Sequence, residues 1–292
     1  MTGRRGIALL IVVALLGTLS VTASMTALAA RQSTSHAFAD LEQLELAAAI
    51  DAATARTALA LSRDDDPWIG DGRLYEIRID DIVVHVRALA ETGRFDLNRG
   101  DIAVLDALLV ERDISPLTAR RIANAVADWR DPDDDVRESG AEAAAYRANR
   151  LPPPPNRPFL AVAEFRNVLG VDEAIFTTIA PFLTINGGET IAAVYAPAEL
   201  ISASGLSDSE ARRILAARRA NRPPPVLSDA AQADPSSSGI YAVFIEAEGT
   251  GRAQRAREII ISMPGEATLY DRLSQHSHVM GYADFLDPES DR

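Results

Sequence analysis

An acidic segment near the middle of the chain is the strongest candidate for chemistry. Five aspartates fall within residues 128–135, and Glu142 follows close behind. So many carboxylates repel one another unless a cation lies among them, and calcium binds about six to eight oxygens in a flexible arrangement. Asp131, Asp133 and Asp135 match the start of an EF-hand loop, but the glycine and spacing of that motif are missing. A calcium site and a solvated acidic loop therefore remain equally open from these residues alone.

The residue types that many catalytic sites require are absent or scattered. The 292 residues include no cysteine, and the 29 basic residues are all arginine. This composition excludes cysteine nucleophiles, thiolate metal sites, Schiff bases and the P-loop lysine. No nucleophile elbow, HExxH motif or glycine-rich phosphate loop occurs, and the pair His276 and His278 lacks an evident third metal ligand. We therefore predict that the protein is not an enzyme, and a role for the histidine pair stays open.

Three segments share the spacing of a helix-hairpin-helix. Residues 205–214 carry glycine, an apolar residue, alanine and isoleucine at the spacing of that motif, and residues 113–122 and 170–179 repeat it more loosely. Such hairpins often direct backbone amides at DNA phosphates. A net charge of −13 opposes that function because an acidic surface repels nucleic acid. We predict a packing role without nucleic acid, with an exported DNA-binding protein of a competence system as the alternative.

A long N-terminal helix precedes these segments. Residues 7–30 carry no charge, and a helix of that length spans roughly 36 Å, enough to cross a hydrocarbon core of about 30 Å. Apolar residues then recur every three or four positions as far as Leu59, with no proline before Pro67. We therefore predict one helix from residue 7 to about residue 62. A cleaved signal peptide, as in a secreted hydrolase, is the competing interpretation.

The junction between Gly6 and Ile7 resembles the site at which prepilin peptidase removes a short leader. Cleavage there would leave Ile7 as the first residue and retain the apolar helix. Most filament subunits of this kind carry glutamate at the fifth mature position, where this chain has Ile11. A buried carboxylate without a partner is costly, so an apolar residue suits a subunit that has no neighbour above it in a filament.

The remaining chain alternates between strand-like and helical patterns. Residues 74–78 and 82–89 predict one hairpin, and residues 241–248 and 258–263 predict a second strand pair. Between them the pattern is almost wholly helical. A connection of more than a hundred residues should contain a core of its own.

Short blocks in this chain resemble, in order, those of the minor pseudopilin K family of the type II secretion system. The blocks are residues 93–98, 128–133, 140–142, 156–159, 164–166 and 196–200. The missing glutamate at the fifth mature position belongs to the same pattern. Residues 192–195 depart from it, which weakens any claim of a second polar site there.

The resemblance implies an α+β fold with a long N-terminal membrane and filament helix and a pilin-like antiparallel sheet, interrupted by a large all-helical, helix-hairpin-helix-like insertion. The expected divisions are a leader (1–6), a transmembrane part (7–30) and a periplasmic part (31–62) of the helix, a first sheet part (63–97), the insertion (98–222), a linker (223–239), and the rest of the sheet with the tail (240–292).

The resemblance also implies a function and its partners. We expect a minor pseudopilin at the tip of the secretion pseudopilus, supporting protein export across the outer membrane. It would be a single-pass inner-membrane protein with its C-terminal domain in the periplasm. Expected partners are minor pseudopilins I and J, the other pseudopilins, prepilin peptidase acting between Gly6 and Ile7, and inner-membrane lipid. By position, the expected calcium ligands are Asp131, Asp133, Asp135 and Glu142.

Overall fold

The computed structural model describes residues 3–63, 68–227, 239–249, 254–263 and 270–277. The first two residues of the predicted leader, residues 228–238 of the predicted linker, and the tail from His278 onward lie outside the described residues. The helix α1 runs from Gly3 to Leu61, close to the predicted bounds, and contains the predicted processing site at Gly6 and Ile7.

The first half of α1 has the length and composition of a membrane span. Among the residues that the structure describes, it is the one helix that is long and apolar enough to cross a bilayer, and none of those residues covers its span. Several of its hydroxyl side chains donate within the helix: the hydroxyl of Thr18 donates to the carbonyl of Leu15, and that of Thr22 donates to the carbonyl of Leu19. Internal hydrogen bonds of this kind allow polar residues to lie in an apolar environment.

The second half of α1 packs against the sheet through a narrow stripe. Leu46, Ile50 and Ala53 are buried on that face, where small residues allow close approach of the helix. The apolar spacing that predicts the helix runs instead through Phe38, Leu41 and Leu44, and these three are exposed. The helix therefore has two apolar faces, of which the sheet covers one.

Five antiparallel strands form the sheet: β1 (Asp71–Ile79), β2 (Ile82–Ala90), β5 (Ile240–Glu248), β6 (Gln254–Ser262) and β7 (Asp271–Ser277). Their order in the sheet is β1-β2-β5-β6-β7. The predicted hairpin and the predicted second strand pair are both present, with longer bounds. In the turn between β1 and β2, Asp80 has a φ of 50°. The edge strand β7, which contains His276, has no counterpart in the sequence prediction.

The helical insertion lies between β2 and β5, which are direct neighbours in the sheet. Ala90 at the end of β2 pairs with Tyr241 at the start of β5. Within the insertion, the short strands β3 (Phe95–Asp96) and β4 (Leu183–Thr184) pair in parallel. The helices are α2 (Ile102–Glu111), α3 (Pro116–Arg130), α4 (Ala143–Ala148), α5 (Glu173–Ile179), α6 (Ala198–Ala203) and α7 (Asp208–Arg219), with a 3-10 helix at Val162–Asn167.

Each part has its own hydrophobic core. The insertion core is built around Phe95, Leu108, Tyr146 and Phe165, whereas α1 and one sheet face share a second core. A small third cluster on the opposite sheet face includes Leu89 and Phe244. The insertion is thus a folded unit rather than a long loop, as its apolar content predicts.

A buried ion network joins α7 to the edge strand β1. Asp71 accepts hydrogen bonds from Arg73 at 2.9 and 2.8 Å, and Arg218 approaches the same carboxylate at 3.4 Å. Arg73 also donates to Asn221 and to the carbonyl of Arg222, at 2.8 and 3.0 Å. One carboxylate and two guanidinium groups thus hold the end of the insertion against the sheet.

A second network lies where the chain enters the insertion. Arg94 forms ion pairs with Glu91 at 3.1 Å and Glu258 at 3.5 Å, and its guanidinium lies over the ring of Phe244. The hydroxyl of Thr184 donates to the other oxygen of Glu91. Burial raises the pKa of Glu91, while Arg94 and the Thr184 hydroxyl oppose that rise. Because β6 contributes Glu258, this network also ties the insertion to the sheet.

Candidate functional site

The acidic segment begins on the last turn of α3. Ser115 caps the start of this helix by accepting from the backbone N–H of Thr118, with Pro116 at its first position. The helix ends at Arg130, and Asp131 follows as its C-cap. A helix C-terminus carries partial negative charge, so the carboxylates gathered there need hydrogen-bond donors or a cation to offset it.

Asp128 lies on the buried face of α3 and is completely enclosed. Its Oδ2 accepts from the backbone N–H of Ala141 at 2.8 Å, and its Oδ1 accepts from the Arg137 guanidinium at 2.8 Å. A Cβ on Gly140 would collide with Oδ2 of Asp128. The glycine therefore lets the returning loop close over the carboxylate.

Arg137 bridges two carboxylates from the outer side of the loop. Its Nη1 contacts Asp128 and also Oδ2 of Asp131. The side chain is 42% exposed, whereas those of Asp128 and Asp131 are 0% and 15% exposed. These hydrogen bonds raise the pKa of Arg137 above its ordinary value, so the group stays charged.

Glu142 is a buried acid without a counter-charge among the described residues. The residue is 6% exposed, and within that part of the chain neither carboxylate oxygen has a hydrogen-bond partner. Burial, followed by the negative charges of Asp128, Asp131 and Asp134, raises the pKa of Glu142 to about 7. A buried carboxylate with free oxygens favours either a proton or a bound cation.

The other two predicted ligands have local roles and lie at the surface. Asp133 accepts from the backbone N–H of Asp135 at 3.0 Å, which shapes the turn after Pro132. Asp135 is exposed. Within the described parts of the chain, no three histidine, aspartate or glutamate side chains are gathered closely enough to hold a metal ion. The structure thus places Asp131 and Glu142 with the buried acids and leaves Asp133 and Asp135 on the outside.

Three residues outside the predicted ligand set belong to this site. Asn156 donates to the carbonyl of Asp133 at 2.6 Å and to Asp134 at 3.1 Å, and its own side-chain oxygen has no partner. Asp128 stands within the acidic segment but outside the predicted ligands. Asn156 lies in one of the sequence blocks, whereas Arg137 has no sequence signal.

The atoms that these residues leave without a partner are mostly of the chemical type that calcium binds, although no three of the acids are gathered within the described residues. Within the described residues, the buried side-chain atoms without a partner here are four hard oxygens and one indole nitrogen: Oδ1 of Asp131, both carboxylate oxygens of Glu142, the side-chain oxygen of Asn156, and Nε1 of Trp129. Carboxylate and amide oxygens on a flexible loop are the ligands that calcium prefers. An aromatic cluster supports the inner side of the site, where the rings of Trp129 and Phe159 stack at 5.4 Å.

Comparisons with known proteins agree with this architecture. Residues 85–188 match the family model for the type II secretion system, protein K. The fold is similar to that of a chain in the crystal structure of the GspK-GspI-GspJ complex from the enterotoxigenic Escherichia coli type 2 secretion system. The TM-score is 0.55 at 17% identity, and the match covers 85% of this chain and 100% of that chain. No curated protein matches the chain. The predicted α+β fold and the predicted resemblance are confirmed.

Proposed function

We propose that this chain, whose residues 85–188 match the family model for protein K of the type II secretion system, is a minor pseudopilin at the tip of the pseudopilus that supports export across the outer membrane. The observation that carries this proposal is the continuity of α1. One helix passes from a membrane-length apolar segment directly onto the antiparallel sheet. A retained helix of this kind serves a filament subunit, whereas a signal peptide would be removed.

The exposed face of α1 is the proposed contact with other subunits. Phe38, Leu41 and Leu44 are 67%, 55% and 66% exposed, and they continue the apolar surface of the span into the aqueous part of the helix. The similar chain was solved in a complex of GspK, GspI and GspJ. We therefore propose minor pseudopilins I and J as partners, with parallel α1 helices packing through this face.

The bulk of the insertion supports the proposed position at the tip. The insertion adds a complete hydrophobic core beside the sheet, and the Asp71 and Arg94 networks hold it there. We expect a subunit of that bulk to collide with its neighbours if it were repeated along a thin filament. The proposed location is the inner membrane for the span and the periplasm for the sheet and insertion. The role is structural rather than enzymatic.

The alternative as a DNA-binding protein has less support. Of the arginines on α7, Arg218 is turned inward to Asp71 and to the carbonyl of Ala196, at 3.4 and 2.9 Å. It is therefore not available to a phosphate. Arg212 and Arg213 remain exposed on a protein with a net charge of −13.

Co-expression tests the assembly. The full chain is produced with prepilin peptidase and minor pseudopilins I and J from the same genome, and the complex is purified in detergent. We expect a mature N-terminus at Ile7 by mass spectrometry and recovery of both partners. Leu41→Ser with Leu44→Ser should reduce that recovery at least about tenfold, while Leu117→Ser, at an exposed leucine of the insertion, should not. A mature start near Ala30 would contradict the proposal.

Calcium is the proposed structural cofactor of the acidic loop. When bound, it would supply positive charge to the free oxygens of Asp131, Glu142 and Asn156 and fix the loop against α3. We expect Asp131→Asn with Asp133→Asn to reduce the rise in melting temperature that calcium produces by more than half. Asp80→Asn with Asp81→Asn, in the β1–β2 turn, serves as a charge-matched control. Equal calcium effects in both double variants would contradict the site.

A further inference from the structure

We infer that Arg137 is an internal cation that competes with calcium for Asp128 and Asp131, and so sets the calcium concentration at which the site fills. The inference rests on the calcium site proposed above. It assigns a function to a residue that the sequence pattern does not single out.

Arg137 already satisfies the acids that a cation would have to reach. Its guanidinium contacts Oδ1 of Asp128 at 2.8 Å and also Oδ2 of Asp131. Asp131 keeps its second oxygen free, so this carboxylate is shared between the arginine and the unpartnered side of the site. A divalent ion that takes both oxygens of Asp131 must displace the guanidinium or accept a positive charge beside it. Both alternatives weaken calcium binding.

Glu142 indicates that the ion pairs of Arg137 do not fully neutralise the site, so that calcium can compete with the arginine. Glu142 lies near the same acids and is more than nine-tenths buried. Within the described residues, both of its carboxylate oxygens lack a hydrogen-bond partner. One guanidinium therefore neutralises Asp128 and Asp131 but does not reach Glu142. A divalent cation supplies the additional charge that the arginine lacks.

The loop that carries Arg137 is able to release it. Residues 132–139 are exposed, and Val136 beside the arginine is 63% exposed. Few buried contacts would be lost if the side chain left Asp131 for solvent. Asp128 differs from Asp131 in this respect, because it also accepts from the backbone N–H groups of Ala141 and Arg137. Asp128 would therefore stay hydrogen-bonded after the guanidinium has left.

Calcium titration of the full chain in detergent micelles tests the inference. Isothermal calorimetry measures the Kd for calcium in the wild type, Arg137→Gln and Arg121→Gln. Both variants remove one positive charge from the insertion, but Arg121 is exposed on α3, away from its acidic C-terminal end. We expect Arg137→Gln to lower the Kd at least about tenfold, and Arg121→Gln to change it less than about twofold. An unchanged or higher Kd for Arg137→Gln overturns the inference.

A second variant covers the case in which Arg137→Gln folds poorly without calcium. Arg137→Lys keeps the charge as a compact ammonium group, and its Kd should lie closer to that of the wild type than to that of the glutamine variant. Thermal denaturation over a calcium series adds a second readout. By linkage, calcium should raise the melting temperature of Arg137→Gln more than that of the wild type. An equal or smaller rise overturns the inference.

Absence of calcium binding in both the wild type and Arg137→Gln also overturns it, and removes the proposed calcium site. That result leaves the pseudopilin function intact, because assembly with I and J and the mature N-terminus are measured separately.

Discussion

At the scale of single residues, Asp128 and Gly140 form one unit. The carboxylate is enclosed because the loop returns over it and donates the backbone N–H of Ala141. That return needs a residue without a side chain, since a Cβ at position 140 would overlap Oδ2 of Asp128. The acidity of the segment can be read from the sequence, but the closeness of this contact cannot.

Gly140→Ala should therefore destabilise the protein. The added methyl group must push the loop away from Asp128, and overpacking of this kind costs about 1–3 kcal/mol. Gly188→Ala is the matched control, because a Cβ there would meet nothing nearer than the carbonyl of Thr190 at 3.8 Å. Urea unfolding of both variants measures the difference. Equal stabilities would contradict the role assigned to Gly140.

The raised pKa of Glu142 predicts that the free energy of unfolding depends on pH when a chelator has removed calcium. Its pKa rises from an ordinary 4.5 to about 7 in the folded protein. A raised folded pKa gives stability that is fully present below about pH 4.5 and is lost as the pH rises through 7. The free energy of unfolding should thus fall between pH 5 and pH 8 by an amount on the order of 1–3 kcal/mol.

Glu142→Gln should remove this part of the pH dependence, since glutamine does not ionise. Glu138→Gln, at an exposed acid of the same loop, should keep it. Chemical denaturation at a series of pH values makes the comparison. If the free energy of unfolding of Glu142→Gln still falls with pH as it does in the wild type, the pH dependence belongs to another group.

At the scale of elements, the attachment of the insertion depends on a few buried charges. Asp71 is 2% exposed and is the shared partner of Arg73 and Arg218. The three residues come from β1 and α7, which are far apart in the sequence. Removal of the carboxylate would leave two buried guanidinium groups without their counter-charge, and that arrangement is costly.

Asp71→Asn should lower the free energy of unfolding by about 3 kcal/mol. Asp81→Asn removes the same charge from the exposed β1–β2 turn and should change stability by less than about 0.5 kcal/mol. Thermal and urea denaturation give both values. A small effect at Asp71 would mean that apolar contacts, rather than this network, hold α7 to the sheet.

At the scale of the whole molecule, local pattern predicts some features and not others. The apolar run predicts α1, and alternating residues predict four strands. The strand β7 is missed because its residues, Asp271–Ser277, are mostly polar and lie at a sheet edge. The two apolar faces of α1 share one periodic pattern, so periodicity cannot tell which of them the sheet covers. That assignment depends on tertiary contacts.

Some features of the candidate site can likewise be predicted from the sequence, whereas others depend on tertiary contacts. Composition identifies the acidic loop, and the resemblance to protein K selects four ligands from it. The structure gathers Asp131 and Glu142 but assigns Asp133 to a turn. Arg137 cannot be predicted from spacing, because its contact with Asp128 and Asp131 exists only after the loop folds back on α3.

The chain carries two tryptophans, one beside the sheet and one in the insertion. Trp68 stacks on Tyr75 beside the sheet, and Trp129 lies in the insertion. Single-tryptophan variants, Trp68→Phe and Trp129→Phe, therefore report on the two parts separately. In stopped-flow refolding we expect the Trp129 signal to recover before the Trp68 signal. The reverse order, or a single common rate, would contradict this expectation.

The reason for that order is the pairing of Ala90 with Tyr241. As an unfolded loop, residues 91–240 would have to be closed at a high entropic cost before β2 could meet β5. Because Leu227 lies in the insertion core, folding of the insertion shortens the loop that remains to be closed, and the same strands can meet at a lower entropic cost. The insertion thus acts as a template for the sheet, and a defect in its core should delay formation of the surface on which α1 docks.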